Sequence, residues 1–359
     1  MSVKKSIWIV LGLISIAIKV FASPEWIEYY YSRGFFKFVR LGIDNTLGFL
    51  PFPMIYVFIP TLFLWLIFSI YLFWKKSGSW KKKIISATAS IAAFIGGGIF
   101  VFLILWGYNY GRVPIEEQLG LQLKPVPLDE LWEELQGETA EIIRLRQMIP
   151  NASDSALTID VFPENLEENL RNNLIIALES ESFPTPGRVR GYLIFPKGVF
   201  LRFSSSGLYF PFTGQGQVDG GLHPLQWPYV LTHEMGHGYG FGDEGTCNFL
   251  AWWACSQSTN PAIAYMGRLA YWRTLATNYL SYEREKYYAF RKTLPQGIVS
   301  DLNAINQNLS EYPDIMPKLR YYAYDSYLKA QGISEGIKNY NRVIMLVKAW
   351  KEEQIISSE

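Results

Sequence analysis

The stretch THEMGHGYGFGDE, residues 232–244, decides how this chain is read. His233 and His237 stand four residues apart, with Glu234 directly after the first. On an α-helix, residues at that spacing share a face, so both imidazoles point at one divalent cation while Glu234 reaches a water beside it. HExxH is the spacing found in zinc-dependent hydrolases. The chain has only three histidines in 359 residues, and the third, His223, lies ten residues upstream on a Gly- and Pro-containing loop.

A hydrolytic zinc site takes three protein ligands and keeps a fourth position for water. His233 and His237 supply two, and two adjacent acids compete for the third. Asp243 completes an HExxHxxGxxD string, and Glu244 follows it at the expected start of the next helix with a longer side chain. Asp243 is equally well placed to cap that helix. His223 has three readings: ligand, transition-state stabiliser or solvated loop residue. Tyr209 and Tyr239 are candidate oxyanion donors, but among 23 tyrosines packing is the simpler role. Met266 is a candidate for a methionine turn beneath the metal, and Trp252 and Trp253 are expected to fill the core or face lipid headgroups.

Outward from the motif, Pro228 suits the first turn of a helix that Gly238, Gly240 and Gly242 end. Gly236 inside it costs roughly 1 kcal/mol of helix propensity relative to alanine, so packing or metal must hold the last turn. Residues 191–212, GYLIFPKGVFLRFSSSGLYFPF, carry β-branched and aromatic residues between turn signals and predict two or three short strands. Amphipathic helices are expected over Leu128–Met148 and Asn165–Glu179. Beyond Glu244 the pattern is helical, with breaks near Asn260-Pro261, Pro295-Gln296-Gly297, Pro313 and Gly332. The expected class is mainly α with a small β-sheet (α+β). A small sheet, then the HExxH helix, then a helical remainder is the layout of a zincin-like catalytic domain, a fold-level analogy.

That domain follows a membrane region. The content of 49% hydrophobic and 16% aromatic residues points to a membrane protein with a soluble part. Residues 52–74 and 84–106 are uncharged and, as helices, roughly 34 Å long, enough to cross a bilayer's apolar core. In the second, Ser86, Ala89, Ala93 and Gly97 form a small-residue stripe that lets a neighbouring helix approach closely. A third, shorter apolar segment covers residues 7–21. Its Val20-Phe21-Ala22 end resembles a signal-cleavage site, so the segment is either retained as an anchor or removed.

The connection KKSGSWKKK, residues 75–83, contains Lys75, Lys76, Lys81, Lys82 and Lys83 with no acid, which places it in the cytoplasm. Residues 1–107 are then a membrane region of up to three spans in the plasma membrane. Residues 108–359 form an extracytoplasmic catalytic domain held close to the bilayer. An intramembrane protease is disfavoured, because the apolar run before His233 is too short and interrupted to span.

The net charge of +1 argues against a nucleic-acid partner, which calls for a basic surface. Cys247 and Cys255 fall on one predicted helix about 12 Å apart in rise. A disulfide needs α-carbons closer than about 7 Å, so free buried thiols are expected.

Five segments carry a resemblance: PEWIEYYYSRGFF (24–36), GLYFPFTGQGQVDGG (207–221), LTHEMGHGYGF (231–241), NFLAWWAC (248–255) and YDSYLKAQGISEGIKNYNRVIMLV (324–347). Together they resemble an uncharacterised bacterial family of membrane proteins, a domain of unknown function with an HExxH motif regarded as zinc metallopeptidases. The resemblance extends over about residues 24–347. It implies shared positions at His233, Glu234, His237, Gly240, Glu244, Asn248 and Phe249. The family typically has a basic residue at Asp243, which favours Glu244 as third ligand. The chain departs from it at Thr246 and Cys247, where glutamate and alanine are usual.

The expectation is a membrane-anchored metallopeptidase that uses Zn²⁺ on His233, His237 and Glu244, with Glu234 as general base, acting on polypeptide or peptide. The competing expectation is a catalytically silent membrane scaffold or partner-binding protein with a structural zinc.

Overall fold

A computed structural model describes residues 3–75 and 77–356. Lys76, one of the basic residues of the expected cytoplasmic connection, lies outside the described residues. Contacts between α-carbons divide the chain into two units. One comprises Met1–Val113, Pro186–Arg188 and Phe210–Gln215; the other comprises Pro114–Thr185, Val189–Tyr209 and Gly216–Glu359. The sequence reading put the boundary between residues 107 and 108. The contacts put it after Val113, because the 3₁₀ turn Gly107–Gly111 is tied to the first unit by Tyr108 Oη donating to the Ser15 carbonyl and by Ser32 Oγ donating to Asn109 Oδ1.

The first unit holds four long helical segments. Helix α1 is Val3–Phe21, α2 is Phe36–Thr46, α3 is Ile55–Lys75 and α4 is Trp80–Leu105. Helices α3 and α4 are long and apolar enough to cross a membrane, and α1 with the following segment Pro24–Thr46, bent by 117°, makes a third candidate. No residue of α3 is buried although nearly all are apolar, a surface that water does not tolerate and lipid does.

Helix α1 packs along α4 where their backbones nearly touch. A Cβ built on Gly12 would sit 2.6 Å from the Gly96 carbonyl, so only glycine permits this approach. At one end Lys5 Nζ donates to Ser90 Oγ and the Ser86 carbonyl, and at the other Tyr108 Oη reaches Ser15. The two helices therefore run parallel. The contact is centred on Gly96 and includes Ser86 and Gly97 of the expected stripe, whose Ala93 is also buried.

Between Ser23 and α2 the chain is helical throughout, with a π-helical stretch at Ile27–Phe35. The wider turn puts Glu28, Tyr31 and Ser32 on one buried side. Glu28 pairs there with Arg33 at 2.8 Å and Arg112 at 2.7 Å, and Tyr31 Oη donates to the Ile104 carbonyl at 2.9 Å. A buried carboxylate needs such partners to be tolerated.

The second unit is mainly helical with a three-stranded sheet. Its long helices α5 (Leu128–Met148) and α6 (Leu166–Ser180) match the expected amphipathic segments. Strands β1 (Arg190–Ile194), β2 (Gly207–Phe210) and β3 (Gln215–Asp219) pair in the order β1-β3-β2. The third strand lies beyond the stretch expected to be extended. QGQVD is buried at every position, so it lacks the alternation that marks a half-exposed strand.

The longer helices that follow are α7 (Trp227–Gly238), α8 (Glu244–Ser256), α9 (Pro261–Leu280), α10 (Arg284–Arg291), α11 (Gln296–Ser310), α12 (Pro317–Ala330) and α13 (Val343–Ile356), with a 3₁₀ segment Gly336–Arg342 before the last. They break at Asn260-Pro261, Pro295 and Gly332 as the sequence predicts. At the first break the Asn260 side chain accepts the Ala262 and Ile263 amides as an N-cap.

Helix α8 is the centre of this unit: every residue from Glu244 to Cys255 is buried. A helix buried all round needs neighbours on all sides, and α6, α7, α9 and α13 provide them. Phe249 stacks on Trp253, and Trp350 packs at a tilt against Trp253, so Trp252 and Trp253 fill the core. Both cysteines are free and buried there.

Candidate metal centre

Helix α7 has a proline in its first turn and reaches Gly238; Gly240, at φ +90°, then turns the chain back towards α8. Asp243 caps α8 with extended backbone, its carboxylate accepting the Thr246 amide at 2.6 Å, while Glu244 is the first helical residue. These neighbours therefore diverge. Asp243 also accepts from Asn339 Nδ2 at 2.7 Å and pairs with Arg342 at 2.9 Å, whereas Glu244 turns inward to the histidines. Of the two acids left open by the sequence, Glu244 is the one grouped with His233 and His237; the donor atoms of all three lie within 4.8 Å of one another.

The triangle is tighter than that limit. His233 Nε2 lies 3.2 Å from His237 Nε2 and 3.1 Å from Glu244 Oε2, and His237 Nε2 lies 3.5 Å from the same oxygen. Four donors in a tetrahedron around a zinc ion at its usual bond lengths are spaced about 3.3 Å apart. The residues present thus fit a divalent cation with three protein ligands.

The outer faces of the rings fix which nitrogen does this. His237 Nδ1 lies 2.7 Å from the Phe241 carbonyl, which only accepts, so it carries the proton. His233 Nδ1 lies 2.9 Å from Asn248 Oδ1, and the Asn248 amide is oriented by its Nδ2 donating to the Tyr340 carbonyl at 3.3 Å. In the neutral rings both Nε2 atoms are lone-pair donors aimed at one point beside a carboxylate. Three electron-rich atoms at this spacing repel unless a metal cation or a proton lies among them. Without a metal there, burial opposes the charged form of His237, but Cys247 and Glu244 outweigh it and hold the imidazole well above its usual range. Burial favours the neutral form of Glu244, but His237 and His233 outweigh it and hold the carboxyl well below its usual range. Cys247, whose thiol burial pushes up to about 11, stays protonated behind His237.

Glu234 is positioned by the sheet. Two glycines let β2 and β3 press directly on it: a Cβ on Gly207 would stand 2.5 Å from Glu234 Oε1, and one on Gly216 would stand 2.7 Å from Glu234 Cβ. The Tyr209 backbone N–H donates to the Glu234 carboxylate. Burial pushes this carboxyl up to about 7, with the two imidazoles opposing. It is poised to exchange a proton near neutral pH.

Of the other candidates, Tyr209 borders the site. His223 caps the 3₁₀ turn Pro224–Gln226 by accepting the Leu225 amide and is not grouped with the three donors. Tyr239 lies in the hydrophobic core, whereas the Tyr209 ring stands beside that of His237, centroids 6.4 Å apart. Met266 sits inside α9 and is buried in the core, so it makes no turn; Asn260 and Pro261 start that helix ahead of it and carry it through this position.

Three residues at the site were assigned no role from the sequence: Asn248 behind His233, and Tyr324 and Tyr340 behind Glu244. Tyr324 Oη donates to Glu244 Oε1 at 2.9 Å and lies 3.1 Å from Tyr340 Oη. The signal available was their place in the segments NFLAWWAC and YDSYLKAQGISEGIKNYNRVIMLV, which suggested kinship without chemistry.

No curated protein and no solved structure matches the chain. A family model described as a protein of unknown function (DUF3810) matches residues 31–348, most of the chain, and the protein therefore belongs to that family.

Proposed function

We propose that this protein is a membrane-anchored zinc metallopeptidase that hydrolyses peptide bonds. The observation that carries the reading is the buried triangle of His233 Nε2, His237 Nε2 and Glu244 Oε2 beside a carboxyl of raised pKa. His233, His237 and Glu244 would hold the metal. When bound, it would supply Lewis-acid polarisation of a carbonyl and a lowered pKa for water at the site. Glu234 does the proton work: it takes the proton from the attacking water as the C–O bond forms, then gives it to the amine nitrogen as the C–N bond breaks. The Tyr209 amide and the glycines of β2 and β3 hold its carboxylate in place for both transfers.

A zincin-like layout is supported by the order of small sheet, motif helix and third donor on the next helix. A structural zinc in a silent scaffold calls for four protein ligands, whereas the described residues group three, which favours an open, hydrolytic site.

For location we propose a multi-pass protein of the plasma membrane with the second unit outside the cell. Support comes from the basic connection at residues 75–83 and from the parallel packing of α1 and α4, which starts both helices on the same face.

The test is to incubate the full-length protein in detergent with a mixed peptide library, with and without chelator, beside a Glu234→Gln variant. Cleavage lost with chelator and with the variant is expected. Cleavage that survives Glu234→Gln removes the proposed base, and a zinc-loaded protein that cleaves nothing supports the scaffold.

A further inference from the structure

The two oxygens of Glu244 are treated differently. Oε2 faces both imidazoles, at 3.1 and 3.5 Å, while Oε1 accepts from Tyr324 Oη at 2.9 Å. The phenol O–H of Tyr324 is the donor and the carboxylate oxygen the acceptor. The hydroxyl of Tyr340, 3.1 Å from that of Tyr324, is then left to donate to the Tyr324 oxygen. A chain of donors runs Tyr340 to Tyr324 to Glu244, each bond strengthening the next. The backbone beneath is tied to the same place: the Tyr340 carbonyl accepts from Asn248, which orients His233, and the Tyr340 ring lies parallel to the His233 ring with centroids 6.4 Å apart.

We infer that Tyr324, backed by Tyr340, is a positioning residue that limits Glu244 to one coordinating oxygen. A carboxylate binds a cation through one oxygen or both, and the second mode would fill the position that water and substrate need. By occupying Oε1 with a hydrogen bond, Tyr324 keeps that position open. The device is assembled from α12 and the 3₁₀ segment after it, far along the chain from the HExxH helix. This inference rests on the metal-centre reading of His233, His237 and Glu244.

The test loads the full-length protein and its Tyr324→Phe and Tyr340→Phe variants in detergent with Co²⁺, a spectroscopic stand-in for Zn²⁺, and records visible absorption and Co²⁺ affinity. Four-coordinate Co²⁺ absorbs strongly because its site lacks a centre of symmetry, and added ligation weakens the band. The parent protein is expected to give the intense four-coordinate spectrum. Tyr324→Phe is expected to lose band intensity and roughly 10-fold in affinity, the usual scale for an outer partner of a ligand. Tyr340→Phe, which leaves the Tyr324 hydroxyl on Oε1, is expected to change both less. Melting of the metal-free variants controls for folding, and if Tyr324→Phe does not fold, the parent decides: a weak spectrum of higher coordination in the parent overturns the inference. An unchanged spectrum in a folded Tyr324→Phe overturns the positioning role while leaving the metal centre intact. A parent that binds no Co²⁺ and no Zn²⁺ overturns the metal centre itself.

Discussion

His233 Nε2 and His237 Nε2 face each other at 3.2 Å, each with its Nδ1 turned outward to an acceptor, Asn248 Oδ1 in one case and the Phe241 carbonyl in the other. The outward bonds select the tautomer, and the tautomer makes the inward nitrogens ligands. A metal centre built this way depends on its supports as much as on its ligands.

Asn248→Ala is the direct probe of one support. It removes the acceptor that orients the His233 ring and leaves every ligand in place. Zinc affinity measured by competition with a chromophoric chelator should fall roughly 10- to 100-fold while the protein stays folded. Unchanged affinity would mean that the ring needs no such partner.

Gly207→Ala separates the base from the metal. The added methyl would stand 2.5 Å from Glu234 Oε1, too close for the carboxylate to keep its place. Zinc content should match the parent while peptide hydrolysis is lost. A variant with full activity would show that Glu234 does not need the position in which β2 holds it.

The packing of Gly12 on Gly96 implies that α1 remains part of the mature protein, because removing residues 3–21 would expose the glycine face of α4. Intact mass and N-terminal peptide mapping of protein purified from its membrane should place the first residue before Ile7. A mature N-terminus at Ala22 or Ser23 would contradict this.

How much was legible beforehand varies with the range of the physics involved. Helix α7, its proline start and its glycine end are local matters, and the spacing of His233 and His237 gave their shared face directly. The N-cap at Asp243 is local too. The choice between Asp243 and Glu244 was not, since neighbouring carboxylates at a helix start point apart only once the backbone switches from extended to helical between them. Strand β3 was missed because its burial on both faces erases the period of two. Tyr324 and Tyr340 were beyond local reasoning altogether: Tyr324 is 80 residues from Glu244, and tyrosine has too many structural uses for its presence to signal a role. The helical nature of residues 24–46 follows from partners on α4 and at Arg112 that only the folded first unit brings near.

The central claim is that a metal is held by His233, His237 and Glu244 and that Glu234 serves it without holding it. Zinc content of the full-length protein, purified in detergent without added metal and compared with His233→Ala and Glu234→Gln, tests this most directly. The account predicts about one zinc per chain in the parent and in Glu234→Gln, and none in His233→Ala. Equal zinc in the two variants, or none in the parent, would contradict it.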